Sequence, residues 1–250
     1  MSQAVPILMY HRVADVPRSS PGWWLAVPRG EFVAQVEHLA GCGWRGVALR
    51  QLAGALAGGE PLPPRTFVLT FDDGARDVVE HALPVLAERG WGATLFVSSA
   101  LVGGRGEFGE ELASWETLRE TAGAGFEIGS HGARHERLAG LGDARLEEEI
   151  SGSRATIAER IGSAPESFAY PFGSFDARTM AAVERAGYTA AVSTELGTRH
   201  RPELRWRLRR VAVFPGLGGA ALERRMGWLY DAWHRSRRWT GSGTWGRSGK

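Results

Sequence analysis

Thr66-Phe67-Val68-Leu69-Thr70-Phe71-Asp72-Asp73-Gly74 runs from an apolar, β-rich segment straight into two carboxylates and a glycine. Pro61, Pro63 and Pro64 break the chain just before it. Six such residues between a proline cluster and a turn signal read as a buried strand. The strand hands over to chemistry at its C-terminal end.

Working outward, the same alternation recurs. Val5 to Tyr10 reads as a strand, and Phe32, Val36 and Leu39 sit at helical spacing in a segment that Gly41 ends. A short strand at Val47–Leu49 and a helix near 50–58 precede the Thr66 strand. After it the pattern predicts a helix over 76–89 stopped by Gly90, then a strand at Ala93–Val97. A helix at Trp115–Thr121 and a strand at Phe126–Ile128 follow. A long helix spans Asp143–Ile161, with Leu146, Ile150 and Ile157 on one side. Strands at Phe168–Tyr170, Tyr188–Val192 and Leu208–Val213 complete the series, with a helix at 176–186 between the first two. Strand–helix alternation at this rhythm is an α/β pattern, a parallel sheet covered by helices. Seven or eight repeats suit a closed or nearly closed barrel, whose chemistry sits at the C-terminal strand ends.

The bulk properties exclude several classes. A chain of 250 residues holds one large α/β domain or two small ones, and 43% hydrophobic with 23% charged residues argues against disorder. The net charge is only +2, with Lys250 the only lysine, so no broad footprint for nucleic acid exists. Cys42 is the only cysteine, which rules out an intramolecular disulfide and a Cys-rich metal site. A metal site of the usual kind must then use histidines and carboxylates. Residues 1–6 lack a basic stretch before a long apolar one, so no signal peptide is expected, and a cytoplasmic location follows. Residues 1–218 form the expected domain. Residues 219–239 place Leu222, Met226, Leu229 and Trp233 on one helical face, with Arg224, Arg225, Arg235, Arg237 and Arg238 making the segment basic. That stripe either packs on the barrel or lies on a membrane surface or a partner. Residues 240–250 are expected to be disordered.

Four polar clusters follow expected strands: His11, the pair Asp72 and Asp73, the pair His131 and His135, and Tyr170-Pro171-Phe172-Gly173. Independent barrel loops bring all four to one rim. Two histidines four apart lie on one face if their segment is a helical turn, about 6 Å apart along the axis. A carboxylate from another strand end completes a three-ligand site for a divalent metal. Zn²⁺ suits it first, with Fe²⁺ and Co²⁺ as alternatives. Taken singly, each cluster has a plainer reading: a turn or cap for Asp-Asp-Gly, a surface pair for the histidines, a satisfied polar residue for His11, turn chemistry for Pro171 and Gly173. Their joint placement in order at strand ends favours the functional one.

The constellation resembles the polysaccharide deacetylase family (carbohydrate esterase family 4, with the NodB-homology domain), over about residues 5–215. The resemblance rests on Thr70-Phe71-Asp72-Asp73-Gly74 and the later His131/His135 pair. It implies a distorted (β/α) barrel of about seven parallel strands and metal-dependent removal of N-acetyl groups from amino sugars. By position, Asp72 resembles the catalytic base, and Asp73, His131 and His135 resemble the ligands of a divalent metal, Zn²⁺ first, with Co²⁺, Fe²⁺ and Ni²⁺ as alternatives. The backbone N–H of Phe172 resembles the oxyanion donor. Three departures stand out. Ala169 occupies a position where many members carry arginine, no late Leu-x-Ile-His motif occurs, and Met9-Tyr10-His11-Arg12-Val13 stands at the start instead. The last pattern is similar to the branch acting on poly-N-acetylglucosamine, in which His11 would be the general acid. Arg209 or Arg210 would supply the missing guanidinium, Arg210 being preferred.

Trp23 and Trp24, in the loop after His11, are candidates to stack on a pyranose, with Tyr170 and Pro171 also lining the substrate; the alternative for the tryptophans is loop packing. The expected partner is an N-acetylated oligo- or polysaccharide, or a lipid- or nucleotide-linked precursor. Two other readings share these residues: a metal hydrolase of another C–N bond or an O-acetyl ester, and an inactive sugar-binding module.

Overall fold

The apolar runs form eight strands: β1 Ile7–Tyr10, β2 Arg45–Val47, β3 Thr66–Phe71, β4 Thr94–Val97, β5 Glu127–Ser130, β6 Ser167–Ala169, β7 Ala190–Leu196 and β8 Leu208–Ala212. They come from a computed structural model, which describes residues 3–227. The expectations for Leu229, Trp233, Arg235, Arg237, Arg238 and residues 240–250 lie outside the described residues.

Every barrel pairing is parallel. The ring runs β1–β3–β4–β5–β6–β7–β8 and closes on β1, giving seven strands, with short β2 beside the first half of β3. This is the expected distorted (β/α) barrel. The helices are α1 Arg29–Gly41, α2 Leu49–Leu56, α3 Leu83–Ala87, α4 Trp115–Gly123, α5 Asp143–Glu147, α6 Ser153–Ile161, α7 Ala177–Arg185 and α8 Gly219–Met226. One π turn, Val78–Ala82, leads into α3, and another, Glu148–Gly152, joins α5 to α6 in the expected 143–161 helix.

Side chains alternate across each strand. Phe67, Leu69 and Phe71 of β3 face outward and pack with Phe32, Val36 and Leu39 of α1 and Leu86 of α3. Val68 faces inward, in a second cluster with Ile7, Phe96, Ala169, Val192 and Leu208. Burial on both faces explains why the strand sequences read as continuous apolar runs.

Helix α8 packs against α1, and its Leu222 and Met226 are buried in the outer core. The described part of the C-terminal stripe is therefore spent on packing. No helix among the described residues is long and apolar enough to cross a membrane. Leu222→Ala should lower the unfolding free energy by about 2–4 kcal/mol, the usual cost of emptying a fully buried leucine site. Denaturant titration measures it, and a loss under about 0.5 kcal/mol would mean that α8 is not docked in solution.

Candidate active site

Period-two alternation decides which side chains reach the upper mouth of the barrel. The inward rows run Ile7, Met9, His11 on β1 and beyond; Val68, Thr70, Asp72 on β3; and Leu208, Arg210, Ala212 on β8. The first two rows turn polar at their ends, and the third carries its one charge, Arg210, between Leu208 and Ala212. Tyr10 pairs with Phe71, and the Asp72 N–H donates to the Tyr10 carbonyl at 3.0 Å, so His11 and Asp72 leave the ladder side by side.

Arg210 reaches across to Asp72. Its Nη1 and Nη2 donate to Asp72 Oδ1 and Oδ2, each at 2.7 Å, and both side chains are almost wholly buried. Arg210 Nε donates to the Ser193 carbonyl at 2.9 Å and Nη1 to Thr70 Oγ1 at 3.1 Å. Burial pushes the Asp72 pKa up, but the guanidinium charge and its two hydrogen bonds outweigh that and hold it below the ordinary carboxylate value. Of the two arginines considered, Arg210 is the one that meets the site. Arg209 is half-exposed, with Nε 4.0 Å from Glu195.

Asp73 Oδ1 lies 3.5 Å from His131 Nε2 and 3.3 Å from His135 Nε2. The three ligand atoms lie within 4.8 Å of one another. The other nitrogen of His131, Nδ1, faces the Ala169 carbonyl at 2.8 Å. With Nδ1 donating to that carbonyl, the proton on Nε2 is the one shared with Asp73, and a bound cation would take its place. Burial and the neighbouring His131 charge lower the His135 pKa to about 4, so its imidazole is neutral at ordinary pH. Burial opposes ionisation of Asp73, but the hydrogen bond from His131 and the positive charge on that ring hold its pKa well below normal. An ionised carboxylate and a neutral imidazole, with a second imidazole anchored by Ala169, fit a divalent cation.

The expected helical turn at His131–His135 is absent. The segment is an irregular bend, with Gly132 at φ 76° and His135 at φ 57°. A buried carboxylate holds it instead: Glu149 Oε2 accepts from the N–H groups of Ala133 at 2.9 Å and Arg134 at 3.0 Å. Glu149 is fully buried and sits in the π turn between α5 and α6. Sequence reading missed it. The signal was an acidic residue three positions after Leu146, on the face assigned to the core.

A cavity of about 710 Å³ opens over these groups, and Trp24, Phe108, Arg137, Tyr170 and Phe172 line it together with His11. Trp24 is 44% exposed, and Phe108 packs edge-on to it at 5.2 Å. Trp23 is not on the cavity wall; Arg18 lies over its ring. Tyr170 is buried, with its hydroxyl on the Trp206 carbonyl, and Pro171 is buried off the wall. The Phe172 ring centroid lies 4.4 Å from that of His135, with the planes tilted by 48°, and the Arg137 guanidinium lies 4.5 Å from the Phe172 centroid. Gly173, at φ 63°, seats this turn on β7, where a Cβ would meet Thr194 Oγ1 at 2.0 Å. Phe108 and Arg137 come from loops without periodicity, which gave the sequence reading no purchase.

The polysaccharide deacetylase family profile matches residues 59–191, just over half of the chain, and that span contains Asp72, Asp73, His131 and His135. The chain belongs to the polysaccharide deacetylase family. It is 31% identical over 217 residues to the putative polysaccharide deacetylase YxkH of Bacillus subtilis (strain 168), covering 87% of this chain and 74% of that protein. It is 29% identical over 135 residues to poly-β-1,6-N-acetyl-D-glucosamine N-deacetylase of Escherichia coli (strain K12), covering 50% of this chain and 20% of that protein. Among solved structures, the Streptococcus pyogenes deacetylase PplD in complex with acetate shares the fold, with a TM-score of 0.81 at 22% identity over 91% of this chain and 100% of that one. IcaB from Ammonifex degensii gives a TM-score of 0.77 at 27% identity over 89% of this chain and 97% of that one. This deacetylase is accordingly a hydrolase.

Two outcomes follow from the geometry. If Asp73, His131 and His135 hold zinc, Glu149→Ala should weaken its binding by about 10–100-fold, the usual loss when a group that orients ligands is removed, while Glu149→Gln, which keeps an acceptor oxygen, stays near the parent. Recovery of activity on adding zinc to the stripped enzyme reads it; equal affinity in a folded Glu149→Ala would show that the bend is held by other contacts. Arg210→Met removes the charge and hydrogen bonds that do most to lower the Asp72 pKa, while desolvation stays, so the carboxyl pKa must rise. If Asp72 must be ionised for turnover, the acid limb of kcat/KM at saturating metal then moves to higher pH. An unmoved limb would separate the ion pair from turnover.

Proposed function

We propose that this deacetylase removes N-acetyl groups from N-acetylglucosamine units of a polysaccharide, using a divalent metal, zinc in the first instance, held by Asp73, His131 and His135. The observation that carries the reading is one carboxylate and two histidines opening on a cavity that His11 and Asp72 also line. The Escherichia coli relative is a poly-β-1,6-N-acetyl-D-glucosamine N-deacetylase, which supports the choice of sugar and bond. The exposed Trp24 ring beside Phe108 offers a stacking surface for a pyranose.

When bound, the cation lowers the pKa of water towards about 7 and polarises the acetyl carbonyl. Asp72 is the base that takes a proton from the attacking water. Arg210 engages both of its oxygens, but each carboxylate oxygen keeps a second lone pair. The water oxygen bonds to the carbonyl carbon, and the Phe172 N–H stabilises the developing oxyanion. His11 donates a proton to the nitrogen as the C–N bond breaks, because an amide anion is too poor a leaving group to depart alone. Acetate and a free amine result.

His11→Ala should keep the fold and the metal yet lower kcat on an N-acetylglucosamine oligomer by about 10²-fold or more. On a nitrophenyl acetate, whose leaving group needs no proton, the loss should be much smaller. An equal loss on both substrates would reassign His11 to orientation, and no loss on either would leave it outside the chemistry.

A further inference from the structure

A second cluster of ligand-type side chains lies on the outer surface, where α8 crosses α1. His38 and Cys42 are four residues apart in the last turn and C-cap of α1, and Glu223 projects from α8. His38 Nε2 lies 2.9 Å from Glu223 Oε2, Cys42 Sγ lies 3.4 Å from the same oxygen, and Cys42 Sγ lies 3.7 Å from His38 Nε2. A tetrahedral ion with bonds of about 2.0–2.3 Å needs ligand separations of about 3.3–3.6 Å. The observed triangle meets that requirement with shifts of a few tenths of an ångström.

The surroundings are arranged to hold the triangle. Trp44 Nε1 donates to Glu223 Oε1 at 3.0 Å, which turns Oε2 towards the histidine and the thiol. This is the outer-shell bond that orients ligating carboxylates. Gly219 lets α8 come close enough, since a Cβ there would meet the His38 Cβ at 2.5 Å. The His38 and Glu223 side chains are each 32% exposed, so a fourth corner opens to water.

We propose that His38, Cys42 and Glu223 form a second metal site, for a thiophilic divalent ion such as Zn²⁺, that pins α8 to α1. It has one sulfur, one nitrogen and one oxygen ligand, whereas the catalytic trio has no sulfur. Without an ion, burial and the Glu223 carboxylate keep the Cys42 thiol pKa raised, partly offset by Arg65. The thiol keeps its proton and donates it in a hydrogen bond to Glu223, and ion uptake would replace the sulfur–hydrogen bond with a metal–sulfur bond and release that proton to water.

Cd²⁺ titration of the full chain tests the proposal. Cys42 is the only cysteine, so an ultraviolet thiolate-to-cadmium charge-transfer band reports this site alone. The band should saturate at one ion per chain, and Cys42→Ser should abolish it while leaving deacetylase activity unchanged. His38→Ala and Glu223→Gln should each weaken the binding by at least the 10–100-fold that loss of an outer-shell partner costs. In chains already saturated with zinc at the catalytic trio, Cd²⁺ should also raise the Tm of the parent chain more than that of Cys42→Ser, because an ion bound to the folded state alone stabilises it. Absence of the band up to millimolar Cd²⁺ would overturn the proposal. So would a band of unchanged affinity in both His38→Ala and Glu223→Gln, which marks a thiolate acting by itself.

Discussion

The ion pair between Asp72 and Arg210 governs the site. It joins residues 138 positions apart, with both side chains closed off inside the barrel. Taking two charges out of water costs several kcal/mol per ion, which only good geometry and further hydrogen bonds offset. Both conditions hold: the contact is bidentate, and Ser193 and Thr70 accept further guanidinium hydrogens. Removing either partner would leave a bare charge in the barrel, at a cost of about 3–5 kcal/mol. The β7–β8 register shifts between Val192, paired with Leu208, and Leu196, paired with Arg210, so the extra residues lie on β7 and Arg210 sits at the end of the irregularity.

With Asp72 pointed inward at Arg210, Asp73 cannot simply continue the strand. It adopts φ 70°, which ends β3 and turns its carboxylate to the two histidines. His135 and Phe172 adopt the same left-handed conformation, both at φ 57°. Arg65 is the other non-glycine residue in that region among the described residues, so the strain is concentrated at the site. Each such residue costs of order 1–3 kcal/mol and persists only where its surroundings over-determine it. Here the surroundings are the two bonds from Glu149, the Ala169 contact of His131 and the Gly173 turn pressed on Thr194. The three proposed ligand side chains are thus positioned by backbone that has been bent and then locked.

Particular residues show why some of this was legible in the sequence and some was not. The barrel could be read because both faces of its strands are buried, which leaves continuous apolar runs such as 66–71. Asp72, Asp73, His131, His135 and His11 could be read because each follows such a run. The bend at 131–135 could not, since a four-residue histidine spacing serves a helical turn and a loop alike. Glu149 was hidden because its partners are backbone N–H groups, which carry no sequence signature. Trp23 and Trp24 are adjacent, and only the three-dimensional path of their loop puts one at the cavity and the other under Arg18. The choice between Arg209 and Arg210 was decidable in principle, since Leu208 faces inward and period two carries Arg210 with it.

Closure of the ring explains why two site residues lie outside the span matched by the family profile. His11 follows β1 and Arg210 lies on β8, near the two ends of the described chain, yet β1 sits between β8 and β3. Three neighbouring strands therefore carry the proposed proton-handling groups Arg210, His11 and Asp72. The ligand trio starts from the same β3 and continues to the bend after β5. The adjacent Asp72 and Asp73 are where the two halves meet, one carboxylate committed to each. This division makes barrel closure a chemical requirement as well as a topological one. Without β8 every ligand-type residue would remain, but Asp72 would lose the guanidinium that keeps it ionised in the barrel. Burial would then favour its protonated form, and a protonated carboxyl cannot accept the proton that the proposed hydrolysis must remove from water.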